Sequence, residues 1–390
     1  MKTRTFAITL ASLSCAAAFA QTTNTFYGVL DVDLMSMDSG YGQSQTIGSG
    51  GMSASRLGLN GERKLEGDLK AVYVLEAGLS VDSGVVGSGT VTNGINNTTP
   101  SSGSLLGNGS QIISRQVYFG LKNDAGALTL GRQYSGSYGA AAMGNAMGVG
   151  LLGSSASFIP AVGGMPTRLN NSLVYLSPAF SGLTAQFTYT TGSENNVNNN
   201  TLTAVGATTT TNASAGRGYD LALSYANGPL YAALTTWSLN NTSYLTAGET
   251  DLAVKSGSQI VANYDFGSFK LFATAASGTI AGGNYETVTK TMSKSNAWSL
   301  SGSMPFGKTR AYLSYSELND QSTQSKSAQL IGLGLTYSLY EKTTVYASYG
   351  KMSNNGNASY SLLNSGDLVG NVSAAGVSPT GAMVGLNLAF

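Results

Sequence analysis

Gly381-Ala382-Met383-Val384-Gly385-Leu386-Asn387-Leu388-Ala389-Phe390 ends the chain and alternates in character from one residue to the next. Successive side chains of a strand point to opposite sides. Ala382, Val384, Leu386, Leu388 and Phe390 therefore share one face, and Gly381, Met383, Gly385, Asn387 and Ala389 share the other. The same pattern recurs upstream. Tyr219, Leu221, Leu223 and Tyr225 form an apolar face bracketed by tyrosines, with Asp220, Ala222 and Ser224 opposite. Leu183, Ala185, Phe187 and Tyr189 alternate with Thr184, Gln186 and Thr188.

Sixteen runs of this kind can be counted: approximately 24–35, 52–64, 68–80, 111–123, 127–134, 168–178, 182–192, 216–227, 229–240, 254–266, 268–277, 294–306, 308–319, 327–340, 342–352 and 379–390. Tight connections such as Leu65-Glu66-Gly67, Asp124-Ala125-Gly126 and Asn227-Gly228 alternate with long ones at 36–51, 81–110, 135–167, 193–215, 241–253, 278–293, 320–326 and 353–378. A β-sandwich does not produce so regular a long–short alternation. No segment is apolar enough for a helical membrane span, while charged residues are only 10% and Tyr supplies 21 aromatics. Apolar-out, polar-in runs of about ten residues are the pattern of a transmembrane β-barrel. In lipid such a sheet must close on itself. The expected fold is all-β, a 16-stranded antiparallel transmembrane barrel whose interior is wide and wet.

Gln133 to Thr167 stands apart. These 35 residues hold no Asp, Glu, Lys or Arg and are rich in Gly, Ala and Ser, with Met143, Met147, Met165, Pro160 and Pro166. A loop of this length in a compact protein is functional or disordered, and this one is too apolar for disorder. It is expected to pack inside whatever the strands enclose, as an inward-folded third loop.

Residues 1–20 read as a cleaved secretory signal: Lys2 and Arg4, an apolar Phe6 to Leu13, then Ala18-Phe19-Ala20 before Gln21. Cys15 lacks the upstream Leu of a lipoprotein site. The barrel domain is then 21–390. Losing Lys2 and Arg4 leaves 18 basic residues against 19 acidic ones, which gives no bulk signal for nucleic acid.

The chain resembles the Gram-negative general diffusion porins of the β-proteobacterial and neisserial type. The resemblance rests on Thr25-Phe26-Tyr27-Gly28-Val29-Leu30-Asp31, Ser55-Arg56-Leu57-Gly58-Leu59-Asn60-Gly61-Glu62, Arg115-Gln116-Val117-Tyr118-Phe119-Gly120-Leu121, Leu130-Gly131-Arg132-Gln133, Arg168-Leu169-Asn170-Asn171-Ser172 and the terminal Phe390, in family order along the whole chain. It implies a homotrimer in the bacterial outer membrane, in contact with lipid and lipopolysaccharide, passing small hydrophilic solutes without a cofactor. It further implies that Phe390 is read by the barrel assembly machinery and that Arg56, Arg115 and Arg168 lie at the constriction.

Alternation agrees for Arg56, which shares a face with Asn60 and Glu62, and for Arg168, which shares one with Asn170 and Ser172. Arg115 shares a face with apolar Val117, Phe119 and Leu121, so either that inner face is apolar or a bulge switches it. Enteric porins oppose these arginines with carboxylates on the loop, and this loop has none. Glu76, Asp31 and Asp33 on the wall are the candidate acids. Arg132 shares a face with Leu128 and Leu130, which points it outward; the matching residue in enteric relatives meets a neighbouring subunit.

Gly302 to Thr309 matches a phosphate-loop pattern but sits between strand runs, where such a loop needs a following helix. With no His in the chain and no Cys after the leader, imidazole and thiolate chemistry is excluded. Paired acids such as Asp31 and Asp33 read as pore-wall charge rather than as sugar hydrolases. The expected function is a passive channel with a modest anion preference. A solute-specific channel, or a barrel acting mainly as adhesin or phage receptor, remains the alternative.

Overall fold

The computed structural model describes residues 22–40, 42–86, 113–192, 201–204, 207–210, 216–240, 254–281, 293–364, 367–369, 372 and 374–390. The expected signal segment, and most of the expected loops at 81–110, 193–215, 241–253 and 278–293, lie outside these residues.

Sixteen staves form the wall. They are β1 (Thr22–Asp38), β2 in two pieces (Gln43–Ser49 and Arg56–Lys64), β3 (Lys70–Gly78), β4 (Gln116–Asn123), β5 (Gly126–Tyr134), β6 (Arg168–Leu176), β7 (Leu183–Thr190), β8 (Gly218–Asn227), β9 (Leu230–Asn240), β10 (Val254–Asp265), β11 (Lys270–Ala281), β12 (Ser293–Phe306), β13 (Thr309–Asp320), β14 (Ala328–Tyr340), β15 (Thr343–Asn354) and β16 (Thr380–Ala389). Each pairs antiparallel with the next, and β16 pairs with β1 from Val29↔Ala389 to Asp38↔Thr380, which closes the ring. The seam is finished by Phe390, whose N–H donates to the Gly28 carbonyl at 3.1 Å while its own carbonyl accepts from the Gly28 N–H at 3.2 Å. Closure leaves no strand edge, which is what a lipid setting demands.

The alternation read from the sequence is the alternation of exposure. Leu313, Leu335 and Ile260 stand on the outer face, more than half exposed, while Ser314, Gln259 and Val261 beside them are buried within the barrel. A bare cylinder of this width would leave its inner face wet. Here much of that face is covered by the connection between β5 and β6, which contains helix α1 (Gly136–Met143) and a 3-10 turn (Ser155–Ala161). Met147, Leu151, Leu152, Phe158 and Val162 from that connection pack with Met35, Met37, Leu318, Leu330, Tyr346, Met352 and Met383 of the wall to make the main apolar core. Each large side chain fully buried this way contributes roughly 1.5–3 kcal/mol.

One expected loop is absent. The sequence predicts a long connection over 36–51. Instead β1 runs on to Asp38 and the first piece of β2 pairs with it, Val32↔Ser49 through Asp38↔Gln43. Only 39–42 separate the two, and the Asp38 carboxylate accepts from the Gly40 N–H at 2.8 Å. The irregular part lies between the two pieces of β2, where residues 50–55 leave the ladder.

Candidate functional site

Three adjoining staves bring a row of charges to the inner wall. Tyr27 on β1 faces Gly58 on β2, and Gly58 faces Glu76 on β3. A side chain at Gly58 would collide with the Tyr27 ring. Its absence lets the phenol lie across β2 and donate to Glu76 Oε2 at 2.9 Å. Arg115 Nε donates to the other oxygen at 2.7 Å, and Arg56 Nε lies 3.7 Å from Oε2. Arg56 also donates from Nη1 to the Ala54 carbonyl at 2.8 Å and to Ser53 Oγ at 3.2 Å.

Arg115 continues the row. Its Nη2 donates to the hydroxyl of Tyr134, which also accepts from Arg168 Nη2. The Arg168 guanidinium lies 4.3 Å from the centroid of the Tyr134 ring, and the Tyr138 ring stacks on Tyr134 at 5.4 Å. The sequence-expected trio Arg56, Arg115 and Arg168 is thus assembled, with Glu76 inside it. Glu76 is 4% exposed and does not face the arginines across the lumen. It joins two of them on the same wall.

The conflict over Arg115 resolves at the strand end. The ladder begins at Gln116, paired with Glu76, so Arg115 precedes the alternation that sends Val117 and Phe119 outward. Its backbone N–H still donates to the Glu76 carbonyl at 3.1 Å, and its side chain turns inward.

Arg132 is a correction. The outward direction expected from Leu128 and Leu130 is not found, because the β5–β6 register shifts between Gly131 and Gln133. Gly131 has φ +135°, a conformation that glycine adopts readily, and the bulge reverses the face. Arg132 is 5% exposed and donates from Nε to the Ser114 carbonyl at 2.7 Å and from Nη1 to Asn170 Oδ1. Held inside, it offers no surface to a neighbouring subunit.

Asp31 and Asp33 are a second correction. Both point inward, yet they are 0% and 2% exposed and do not line open lumen. The 50–55 segment covers them. Asp31 accepts from the Met52 and Ser53 N–H groups, from the Tyr346 hydroxyl and from the Asn387 amide. Asp33 lies against the backbone at Gly48 and Gly51. No alternation signal announces a segment that leaves a strand and folds over its neighbour, so the cover is invisible in the sequence.

The loop from Ser135 onward is docked on the other part of the wall. Ser135 caps α1, its hydroxyl accepting from the Tyr138 N–H at 3.0 Å. The Asp220 carboxylate on β8 accepts from the Gly136 N–H at 2.7 Å and the Ser137 N–H at 3.3 Å, an anion at a helix start. Gln259 on β10 donates to the Ser137 carbonyl, Asn263 to Met143, Thr274 on β11 to Gly144, and Asn145 donates to Ser314 on β13. The Leu152 N–H reaches Ser348 Oγ on β15 at 3.2 Å.

Two glycine contacts seat the backbone itself. A Cβ at Gly153 would lie 2.2 Å from Gly332 Cα, and one at Gly163 would lie 2.1 Å from the Ser256 carbonyl oxygen. Trp237 Nε1 closes the second seat by donating to the Gly163 carbonyl at 2.9 Å. The sequence places the loop inside, and the structure agrees. It does not single out Asp220, Gln259, Asn263 or Trp237 as the side chains that hold it.

The arrangement supports passage of charge, not covalent chemistry. Arginine stays protonated in proteins, so the wall is permanently cationic. The facing loop adds no charged side chain. Burial pushes the Tyr138 phenol upward in pKa, which keeps it neutral beside the guanidiniums. Among the described residues no group of His, Cys, Asp and Glu is arranged to hold a metal.

Comparison with known proteins agrees with this geometry. A family model described as Gram-negative porin matches residues 7–357. The outer membrane porin protein 32 of Delftia acidovorans is 28% identical over 392 residues, covering 98% of this chain and 99% of that protein. An anion-selective porin from Comamonas acidovorans superposes with a TM-score of 0.70 at 22% identity, over 95% of this chain and all of the other. The outer membrane protein OmpT of Vibrio cholerae, in its trimer form, superposes with a TM-score of 0.67 at 18% identity, over 95% and 99% of the two chains.

Proposed function

The chain belongs to the Gram-negative porin family, passive channels of the bacterial outer membrane, and from that premise we propose that its arginine wall makes it a general diffusion channel with a modest preference for anions. The observation that carries the reading is the imbalance at the wall. Arg56 and Arg115 share one carboxylate, Glu76, Arg168 joins Arg115 through the Tyr134 hydroxyl, and the loop opposite them is uncharged. Low-dielectric walls focus such a field into a narrow aqueous path. At physiological salt the screening length is about 8 Å, so the charges still act across a narrow pore. The Comamonas relative is an anion-selective porin, which supports the same sign.

In this reading the solutes are small, hydrophilic and sorted by size at the loop. The protein works as a homotrimer, a state in which the Vibrio OmpT relative has been seen. Its apolar outer band meets outer-membrane lipid and lipopolysaccharide. Phe390, whose backbone completes the seam, is the residue offered to the assembly machinery. The leader at 1–20 directs export.

The test is a zero-current potential across a planar bilayer in a KCl gradient. Chloride is expected to be the more permeant ion, more so in dilute salt. A channel that prefers potassium overturns the anion reading and leaves the family unaffected.

A further inference from the structure

We propose that Arg132 is a fourth selectivity-determining residue of this channel, acting by its charge from behind the pore wall. The inference rests on the anion reading above and extends it to a residue that lines no open lumen.

Arg132 projects from the β5 bulge and is 95% withdrawn from solvent, its exposure being 5%. Its two described bonds go to neutral oxygens, the Ser114 carbonyl and Asn170 Oδ1. Its remaining Nη2 is buried without an acceptor among the described residues. The one carboxylate of the wall cluster, Glu76, is taken by Arg56 and Arg115. Asp31 is held by Met52, Ser53, Tyr346 and Asn387.

The charge of Arg132 is therefore not cancelled where it sits. Its two bond partners, Ser114 and Asn170, lie one and two residues from Arg115 and Arg168, so its charge sits beside theirs. A buried charge is screened far less than an exposed one, and arginine cannot shed its proton to relieve the repulsion. The bonds also explain why this costly placement persists. Ser114 immediately precedes Arg115, and Asn170 lies two residues after Arg168. One guanidinium thereby ties the carbonyl that precedes Arg115 to the Asn170 side chain, two residues past Arg168, and holds its own charge at a fixed depth behind them.

The experiment measures the chloride-to-potassium permeability ratio of the full-length trimer in a KCl gradient. The variants are Arg132→Gln, Arg132→Lys and Asn170→Asp. Asn170→Asp leaves Arg132 in place and sets a carboxylate on its Nη1, so the charge is neutralised with almost no change of shape. Arg132→Gln and Asn170→Asp are each expected to lower the ratio by about twofold, the scale of one partly screened unit charge, with single-channel conductance little altered. Arg132→Lys should hold the wild-type ratio. If Arg132→Gln does not assemble, Asn170→Asp carries the test alone. Wild-type selectivity in a folded Asn170→Asp or Arg132→Gln channel overturns the proposal, because a merely structural Arg132 would leave the ratio alone. A wild-type channel with no chloride preference is a different failure: it removes the anion reading itself.

Discussion

Between β2 and β6 the wall gathers four guanidiniums and one carboxylate: Arg56 and Arg115 on Glu76, Arg168 on Tyr134, and Arg132 behind them on Ser114 and Asn170. From β8 round to β16 it presents a bed of Ser, Gly, Met and Leu, with Asp220, Gln259, Asn263 and Trp237 as polar anchors, on which an uncharged loop lies. The first region is made of side chains rooted in the ladder, where register fixes each charge. The second is made of backbone fitted to backbone, at Gly153 against Gly332 and Gly163 against Ser256. In the proposed channel, then, the sign and the width are stored in separate parts of the molecule. Each can then be changed while the other is read.

The largest effect should come from removing the loop bed's occupant. Replacing residues 137–165 with a short turn should raise single-channel conductance and the size limit several-fold, and should leave the chloride preference weaker but of the same sign. The sixteen staves pair without the loop, so trimers should still form. They should melt at a lower temperature, because Met35, Met37, Leu330 and Met383 lose their apolar cover. Unchanged conductance would break the comparison by showing that the loop does not set the width.

Next in size is the converse change. Replacing Arg56, Arg115 and Arg168 together by Gln should abolish or reverse the preference in a KCl gradient while the solute size limit, measured by liposome swelling, stays close to wild type. A shift of the size limit as large as that of the loop deletion would mean that the two properties share residues after all.

The smallest expected effect sharpens the comparison. Gly153→Val forces a side chain into the space of Gly332 Cα, an overpacking that costs about 1–3 kcal/mol. Local lifting of the loop should show as greater open-channel current noise and a modest loss of thermal stability, with unaltered ion selectivity. A quiet channel of wild-type stability would show that the seat at Gly153 is slack.

The barrel is legible in the sequence because lipid leaves strands one grammar: alternate faces, short turns at one end, closure. All sixteen runs correspond to staves, and an uncharged 35-residue stretch is in fact the docked loop. What alternation cannot encode is a residue where the ladder slips. The bulge at Gly131 misdirects Arg132, and Arg115 conflicts with its neighbours because the ladder starts one residue later. Asp31 and Asp33 read as pore charges because 52–64 reads as one unbroken strand. The Gln43–Ser49 piece is hidden by its Gln, Ser, Thr and Gly composition, which looks like a loop. One signal is present in the sequence and easily overlooked: Met35, Met37, Leu318, Leu330, Met352 and Met383 are large apolar residues on inward positions, and together they trace the bed on which the loop lies.

Asp31 gathers its partners from both ends of the chain. Tyr346 bonds it across 315 positions and Asn387 across 356. Until β15 and β16 exist, that carboxylate lacks two of its donors and must stay hydrated, and Gly28 has no terminal carbonyl to meet. Pairings so distant in sequence are slow to form. The ring closes only when its last strand meets its first. A chain that lacks its last eleven residues would leave β1 and β15 without the strand that joins them, and so an open edge.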